Sequence, residues 1–264
     1  MVVNAFGNLD FWREQRRESG HLLMALDFDG TLAPIVPHPN DAQLVPAARG
    51  VIEQLLKRAD TDVAFVSGRS LDDLHNRCDI PGLFFAGNHG LEIEGPDVRE
   101  TRPEALALIP RMQSLKHTLL QALSGIPDVF IEDKQLSLSI HFRPVEDEAQ
   151  QARIVAIVEQ TARKNPDGIK LTYGKRVVEI RPDIDWHKGH ATLFLLNSVK
   201  RVRGAAVYPI FIGDDLTDED AFRAVEDIGA GIVVGYDANR HTHATSRVDS
   251  IESVVELLKG FVQD

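Results

Sequence analysis

The chain has 264 residues, 43% of them hydrophobic and 26% charged, with a formal net charge of −11. That length can bury a large core in one large or two small domains. The acidic balance argues against nucleic acid or an anionic membrane surface as a partner, and the single cysteine, Cys78, excludes an intramolecular disulfide and a thiolate zinc cage.

The first twenty residues carry Asp10, Arg13, Glu14, Arg16, Arg17 and Glu18 and hold no signal-peptide core. No run approaches the roughly 20 apolar residues of a membrane-spanning helix, so a cytoplasmic protein is the expectation. The first clear element is an apolar strand over 22–28, which ends in Asp27-Phe28-Asp29-Gly30-Thr31. Parallel strands of α/β folds deliver ligands in this way, at the carboxyl end. Asp27 and Asp29, two residues apart, can share one cation, and Mg2+ suits such hard oxygen donors beside a phosphate.

A stiff loop with Pro34, Pro37 and Pro39 follows, then helical spacing over 46–58 with Val51, Ile52, Leu55 and Leu56 on one face. A second apolar strand, 61–66, runs into Ser67-Gly68-Arg69. A hydroxyl, a glycine that admits backbone amides and a guanidinium fork suit a phosphate oxyanion. A helix from about Ser70 and a strand at 83–86 complete β-α-β-α-β, the opening of a doubly wound parallel sheet.

The pattern changes near Pro103. Helices over 104–122 and 144–164 alternate with strands at 128–132, 135–142, 169–173 and 176–181. This α-β-β-α-β-β segment reads as an antiparallel α+β insert. Parallel-core signals return with a helix at 188–201 that opens on Lys188, and a strand at 207–212 that ends in Gly213-Asp214-Asp215-Leu216-Thr217-Asp218. A helix from Asp218, a strand at 230–234 and a helix at 251–261 finish the chain. The expected domains are a core of 1–103 and 183–264 and an insert of 104–182.

An acid pair, a Ser/Thr, a lysine and a second acid pair, in that order and each at a strand end or helix start, resemble the haloacid dehalogenase superfamily of aspartate-nucleophile phosphatases. The resemblance implies an α/β, Rossmann-like doubly wound core with an α+β cap inserted between the Ser67 and Lys188 elements, the C2 position. It implies that Asp27 is the nucleophile and that Asp29 protonates the leaving group and then activates water. Ser67 and Lys188 would hold the phosphoryl oxygens. Mg2+ would be held by Asp27, the Asp29 carbonyl and Asp214, with Asp218 assisting directly or through water.

Leu32 to Pro39, Gly87-Asn88-His89-Gly90-Leu91-Glu92-Ile93, 174–182 and 213–222 are similar to the trehalose-6-phosphate phosphatase family. That family's sugar contacts map onto Glu132 and Lys134, Arg143, Lys175 and Glu179. Arg69 either joins the phosphate or braces its loop; His89 either shapes the wall near the phosphate or only its turn. His141 reads as a sheet residue, and no zinc spacing stands out. The expected activity is Mg2+-dependent hydrolysis of trehalose 6-phosphate, with the synthase a separate protein. Sucrose phosphate, mannosyl phosphoglycerate, or a catalytically silent phosphosugar-binding module are the competing readings.

Overall fold

The computed structural model describes residues 2–174 and 176–263 and divides into two compact units, Met1–Glu100 with Trp186–Asp264, and Thr101–Asp185. The first unit is built on a nine-stranded sheet. Its order is Val3–Asn4, Ser246–Val248, Ala230–Val234, Tyr208–Gly213, Leu22–Leu26, Thr61–Val66, Phe84–Gly87, Glu92–Gly95 and Val98–Thr101. The seven strands from Val3–Asn4 to Phe84–Gly87 pair in parallel, and Glu92–Gly95 adds antiparallel to Phe84–Gly87.

All five residues of Leu22–Leu26 are buried, as expected of a strand covered on both faces. Side-chain alternation then assigns each residue a side. Leu22, Met24 and Leu26 face a core shared with Trp12, Val51, Ile52, Leu55, Leu74 and Phe261. Leu23 and Ala25 face the other core, with Leu195, Val199, Phe222 and Val225. Helices therefore cover both faces. The chain passes from Leu22–Leu26 outward through Thr61–Val66 to Phe84–Gly87, then restarts on the other flank at Tyr208–Gly213. That reversal puts the loops after three adjacent strands, at Asp27, Ser67 and Asp214, beside one another, the crevice where open α/β sheets bind ligands.

The second unit is a four-stranded antiparallel sheet in the order Phe130–Asp133, Leu138–His141, Val177–Pro182, Ile169–Gly174. Leu138, Ile140, Val178 and Ile180 pack against Met112, Leu115 and Leu119 of the helix Ile109–Leu123 and Ile154 and Val158 of the helix Glu148–Arg163. The alternate residues, Glu132, Ser139, His141 and Glu179, form a polar second face.

Several elements differ from the sequence reading. The helix expected over 104–122 is broken into Pro103–Leu106 and Ile109–Leu123. Pro110 lacks the N–H that a continuous helix would need and sits in the first turn of the second piece, where none is required. The helix expected from residue 144 begins at Glu148, because the Asp147 side chain caps it by accepting from the Ala149 amide. The helix Leu9–Ser19 buries only Trp12 and Arg16, so it has no apolar stripe to read. The strands Val3–Asn4, Glu92–Gly95, Val98–Thr101 and Ser246–Val248 run two to four residues, too short for a clear alternation. Among the described residues no helix is long and apolar enough to cross a membrane.

Candidate active site

The site in the first unit is built at the carboxyl ends of three neighbouring strands. Asp27 follows Leu22–Leu26, and its amide continues the ladder by donating to the Ile212 carbonyl at 2.9 Å. The chain then turns at Gly30 with φ +84°, in the left-handed region. A β-carbon there would collide with the Asp214 carboxylate. Glycine is required for both reasons, and Asp214 is thereby brought against the Asp27–Gly30 loop.

Lys188 opens the helix Lys188–Arg203, whose Ncap His187 accepts from the Gly189 amide through Nδ1 at 3.1 Å. A cation at a helix N-terminus works against the helix dipole. Two carboxylates outweigh that cost: Lys188 Nζ lies 2.7 Å from Asp27 Oδ1 and 2.7 Å from Asp218 Oδ1, all three groups buried. Burial opposes the ammonium charge, but Asp218 and Asp27 hold it well above its ordinary value. The other Asp218 oxygen accepts from the amides of Asp214, at 2.9 Å, and Asp215, at 3.0 Å. Both Asp218 oxygens are thus committed to Lys188 and to the loop that carries Asp214. The Asp215 side chain caps the short turn Leu216–Asp218, accepting from the Thr217 amide and hydroxyl at 2.7 Å each.

Carboxylate oxygens of Asp27, Asp214 and Asp218 lie within 4.8 Å of one another. Burial, and then repulsion from Asp218 and Asp215, pushes the Asp214 carboxyl up to about 7; burial pushes Asp218 to about 6 and raises Asp27 as well, each against the pull of Lys188. Asp214 Oδ1 is buried and without a hydrogen-bond partner. An unpartnered buried carboxylate oxygen beside a second and third carboxylate is the environment a hard divalent cation fits, since the cation would both satisfy the oxygen and relieve the repulsion.

Asp29 is held differently. Arg69 grips it with both arms, Nε to Oδ2 and Nη2 to Oδ1 at 2.6 Å each. Arg69 also donates to Asp73 at 2.6 Å and to the Pro39 carbonyl at 3.0 Å, and its guanidinium lies over the Phe28 ring. Four of its five N–H groups are therefore spent on this chain. These bonds tie the Asp29, Pro39 and Asp73 segments together. Asp73 in turn takes Arg77 Nε at 2.8 Å.

Ser67 is buried, and its hydroxyl accepts from the Arg69 amide at 3.2 Å. The next loop presses against it. Asn88 and His89 both have positive φ, and the His89 amide donates to the Ser67 carbonyl at 2.8 Å. A β-carbon at Gly68 would meet the His89 ring at 2.8 Å, so glycine there is the space His89 occupies.

Three candidates of the second unit share the polar face of its sheet. Glu179 Oε1 accepts from Lys134 Nζ at 2.8 Å and from the Ser139 hydroxyl at 2.9 Å. Glu132 Oε2 lies 2.9 Å from His141 Nε2 and 4.0 Å from Lys134 Nζ. His141 is a sheet residue that also engages Glu132. Arg143 follows the Leu138–His141 strand, where its carbonyl accepts from Arg176 at 2.9 Å. Lys175 lies outside the described residues.

The sequence reading did not single out Asp73, Glu92, Glu219 or Arg240. Arg240 donates to the carbonyls of Asp214 and Asp215 and pairs with Glu219 at 2.8 Å, strapping the acid loop. Nothing in the spacing of Glu219 and Arg240 betrays this pair, whereas Glu92 stands inside the 87–93 motif and was readable there.

The trehalose-phosphatase family model matches residues 25–252. The trehalose-phosphate phosphatase of Mycobacterium marinum is 37% identical over 233 residues, covering 87% of this chain and 58% of that protein. A probable trehalose-phosphate phosphatase 4 of Oryza sativa subsp. japonica is 33% identical over 252 residues, covering 92% and 66%. The chain thus spans just under two thirds of these relatives' length or less. Its fold is that of the C-terminal domain of C. albicans trehalose-6-phosphate phosphatase, with a TM-score of 0.80 at 18% identity, covering 100% of this chain and 98% of that one. With a family model matched from residue 25 to residue 252, this chain belongs to the trehalose-phosphatase family.

Proposed function

We propose that this chain is a phosphoric monoester hydrolase that converts trehalose 6-phosphate to trehalose and inorganic phosphate. The observation that carries the reading is the cluster in which Lys188, at a helix start, joins Asp27, Asp214 and Asp218 beyond two adjacent strands, in a chain of this family. Asp27 attacks phosphorus, the bond from phosphorus to the sugar oxygen breaks, and an aspartyl-phosphate forms. Asp29 gives a proton to the departing sugar oxygen, then takes one from the water that hydrolyses the aspartyl-phosphate. For Asp29 to carry the proton it gives, the two-armed Arg69 grip must release at least one of its oxygens.

Lys188 and Ser67 hold phosphoryl oxygens, and the Lys188 ammonium neutralises charge as Asp27 approaches an anionic ester. Asp27, Asp214 and the Asp29 carbonyl would hold Mg2+, with Asp218 supporting Lys188 and the Asp214 amide. Bound there, the cation supplies Lewis-acid stabilisation of the transferring phosphoryl group. Glu132, Lys134, Arg143, Lys175 and Glu179 take the disaccharide: carboxylates accept from its hydroxyls and cationic groups donate to them.

The test is phosphate release with Mg2+ from trehalose 6-phosphate, sucrose 6-phosphate, glucose 6-phosphate and an aryl phosphate. Strong preference for trehalose 6-phosphate, abolished by chelator, is expected. Release spread evenly over the panel would discard the disaccharide assignment, and release from none would leave a phosphosugar-binding module.

A further inference from the structure

Glu92 opens the strand Glu92–Gly95 and reaches across two loops of the site. One of its carboxylate oxygens, Oε1, accepts from the Leu71 amide at 2.9 Å and from the Asn88 side-chain amide at 2.7 Å. Leu71 is the first residue of the helix that follows Ser67-Gly68-Arg69; Asn88 begins the turn that carries His89. The two loops are also zipped by their main chains. The Asn88 amide donates to the Arg69 carbonyl at 2.6 Å and the His89 amide to the Ser67 carbonyl at 2.8 Å.

The Asn88–His89 turn holds a conformation that non-glycine residues adopt uncommonly. Asn88 has φ +49° and His89 φ +57°, a left-handed pair with no glycine. Gly87 provides the space for the clamp: a β-carbon there would meet the Leu71 nitrogen at 2.7 Å, the Arg69 oxygen at 3.0 Å and Glu92 Oε1 at 3.1 Å. A glycine emptied of its side chain, a strained turn and a partly buried carboxylate thus converge on one point between Ser67, Arg69 and His89.

We propose that Glu92 is a positioning residue of the active site, whose single oxygen Oε1 fixes the Ser67–Arg69 loop and the Asn88–His89 turn against each other. The inference rests on the reading of the chain as a phosphatase. What Glu92 supplies is an acceptor at a set place, so glutamine, which keeps that oxygen, replaces it and alanine does not.

The experiment compares the parent, E92A, E92Q and N88G by steady-state hydrolysis of trehalose 6-phosphate and an aryl phosphate, and by amide exchange over 67–71 and 87–91. In E92A kcat falls about tenfold or more on both esters, a loss in proportion to a misplaced site loop, while KM for the aryl ester stays within about twofold. E92Q stays within about threefold of the parent, and N88G, which removes one of the two donors without opposing the positive φ, loses about threefold or more. Exchange over both segments quickens in E92A and not in E92Q. Parent-like kcat in E92A, or E92Q impaired as deeply as E92A, would overturn the proposal. Should E92A not fold, parent-like kcat in N88G would overturn it. A parent that hydrolyses neither ester overturns the phosphatase reading instead; exchange alone then judges Glu92, and unchanged protection of both segments in E92A, or in N88G if E92A is unfolded, rejects the clamp.

Discussion

The Asp214 carboxylate occupies the space that a side chain on residue 30 would fill. Gly30 and Asp214 are remote in sequence, yet the shape of one loop depends on the identity of the other. Gly30→Ala must displace Asp214 and also hold a β-carbon at φ +84°. Left-handed backbone costs a non-glycine residue about 1–2 kcal/mol, about a tenfold effect before the collision is counted. We expect the Mg2+ concentration for half-maximal phosphate release to rise about tenfold or more. An unchanged Mg2+ dependence would refute the link.

Asp27→Asn retains the shape of the proposed nucleophile and removes its charge. Phosphate release from every ester is expected to fall to the detection limit, with the thermal midpoint held near the parent's. Wild-type release from this variant would show that Asp27 is not the attacking group.

Lys188 separates two buried carboxylates that would otherwise face each other. Lys188→Met leaves Asp27 and Asp218 uncompensated, and breaking a buried pair in this way costs about 3–5 kcal/mol. Adding Asp218→Asn removes one of the stranded charges and should return part of that stability without returning activity. The check is denaturant unfolding of both variants. Equal stability of the single and double variants would mean that Lys188 is not the counter-charge of Asp218.

Glu179 accepts from both Lys134 and Ser139 on the polar face of the second unit. Glu179→Ala is expected to depress kcat/KM for trehalose 6-phosphate by about tenfold or more while the aryl ester changes by less than about threefold. Parallel losses on the two substrates would remove the sugar-recognition role.

At the other end of the core sheet Asp62 is buried between His21, at 2.8 Å, and Arg203, at 2.6 and 2.9 Å. Burial works to raise the Asp62 carboxyl, but the His21 and Arg203 hydrogen bonds outweigh it and hold it below 3.8. A carboxyl depressed on folding contributes stability that is fully present above its unfolded value and is lost as pH falls through the folded one. Asp62→Asn should therefore cost about 2 kcal/mol near pH 7, and the gap to the parent should close as pH drops below about 4. Unfolding midpoints of both proteins across that range decide it; a gap constant with pH would reject the charge as its origin.

Much of the first unit was legible because its strands are short, mostly apolar and punctuated. Leu22–Leu26 and Thr61–Val66 announce themselves by composition, and an acid or hydroxyl directly after each marks the end that binds ligand. Asp27, Ser67 and Asp214 follow from that rule, and Lys188 stands instead at the start of a helix. The Ile109–Leu123 break was foreshadowed by Pro110, but periodicity alone overrode it. The helix Leu9–Ser19 and the two-residue strand Val3–Asn4 carried no pattern, since their place is set by what they dock against.

The amino-acid order by itself determined which side chains reach the strand ends, the parallel character of the core and the antiparallel insert, because burial on one face or two leaves its mark on hydrophobic period. Tertiary structure alone decided how those side chains are spent. Asp218 is committed to Lys188 and two amides, Arg69 to Asp29 and Asp73, Asp215 to a cap, and Asp214 keeps one buried oxygen unpartnered. Two of these, Lys188–Asp218 and Arg69–Asp29, join residues 30 and 40 positions apart, a closeness that no local spacing encodes.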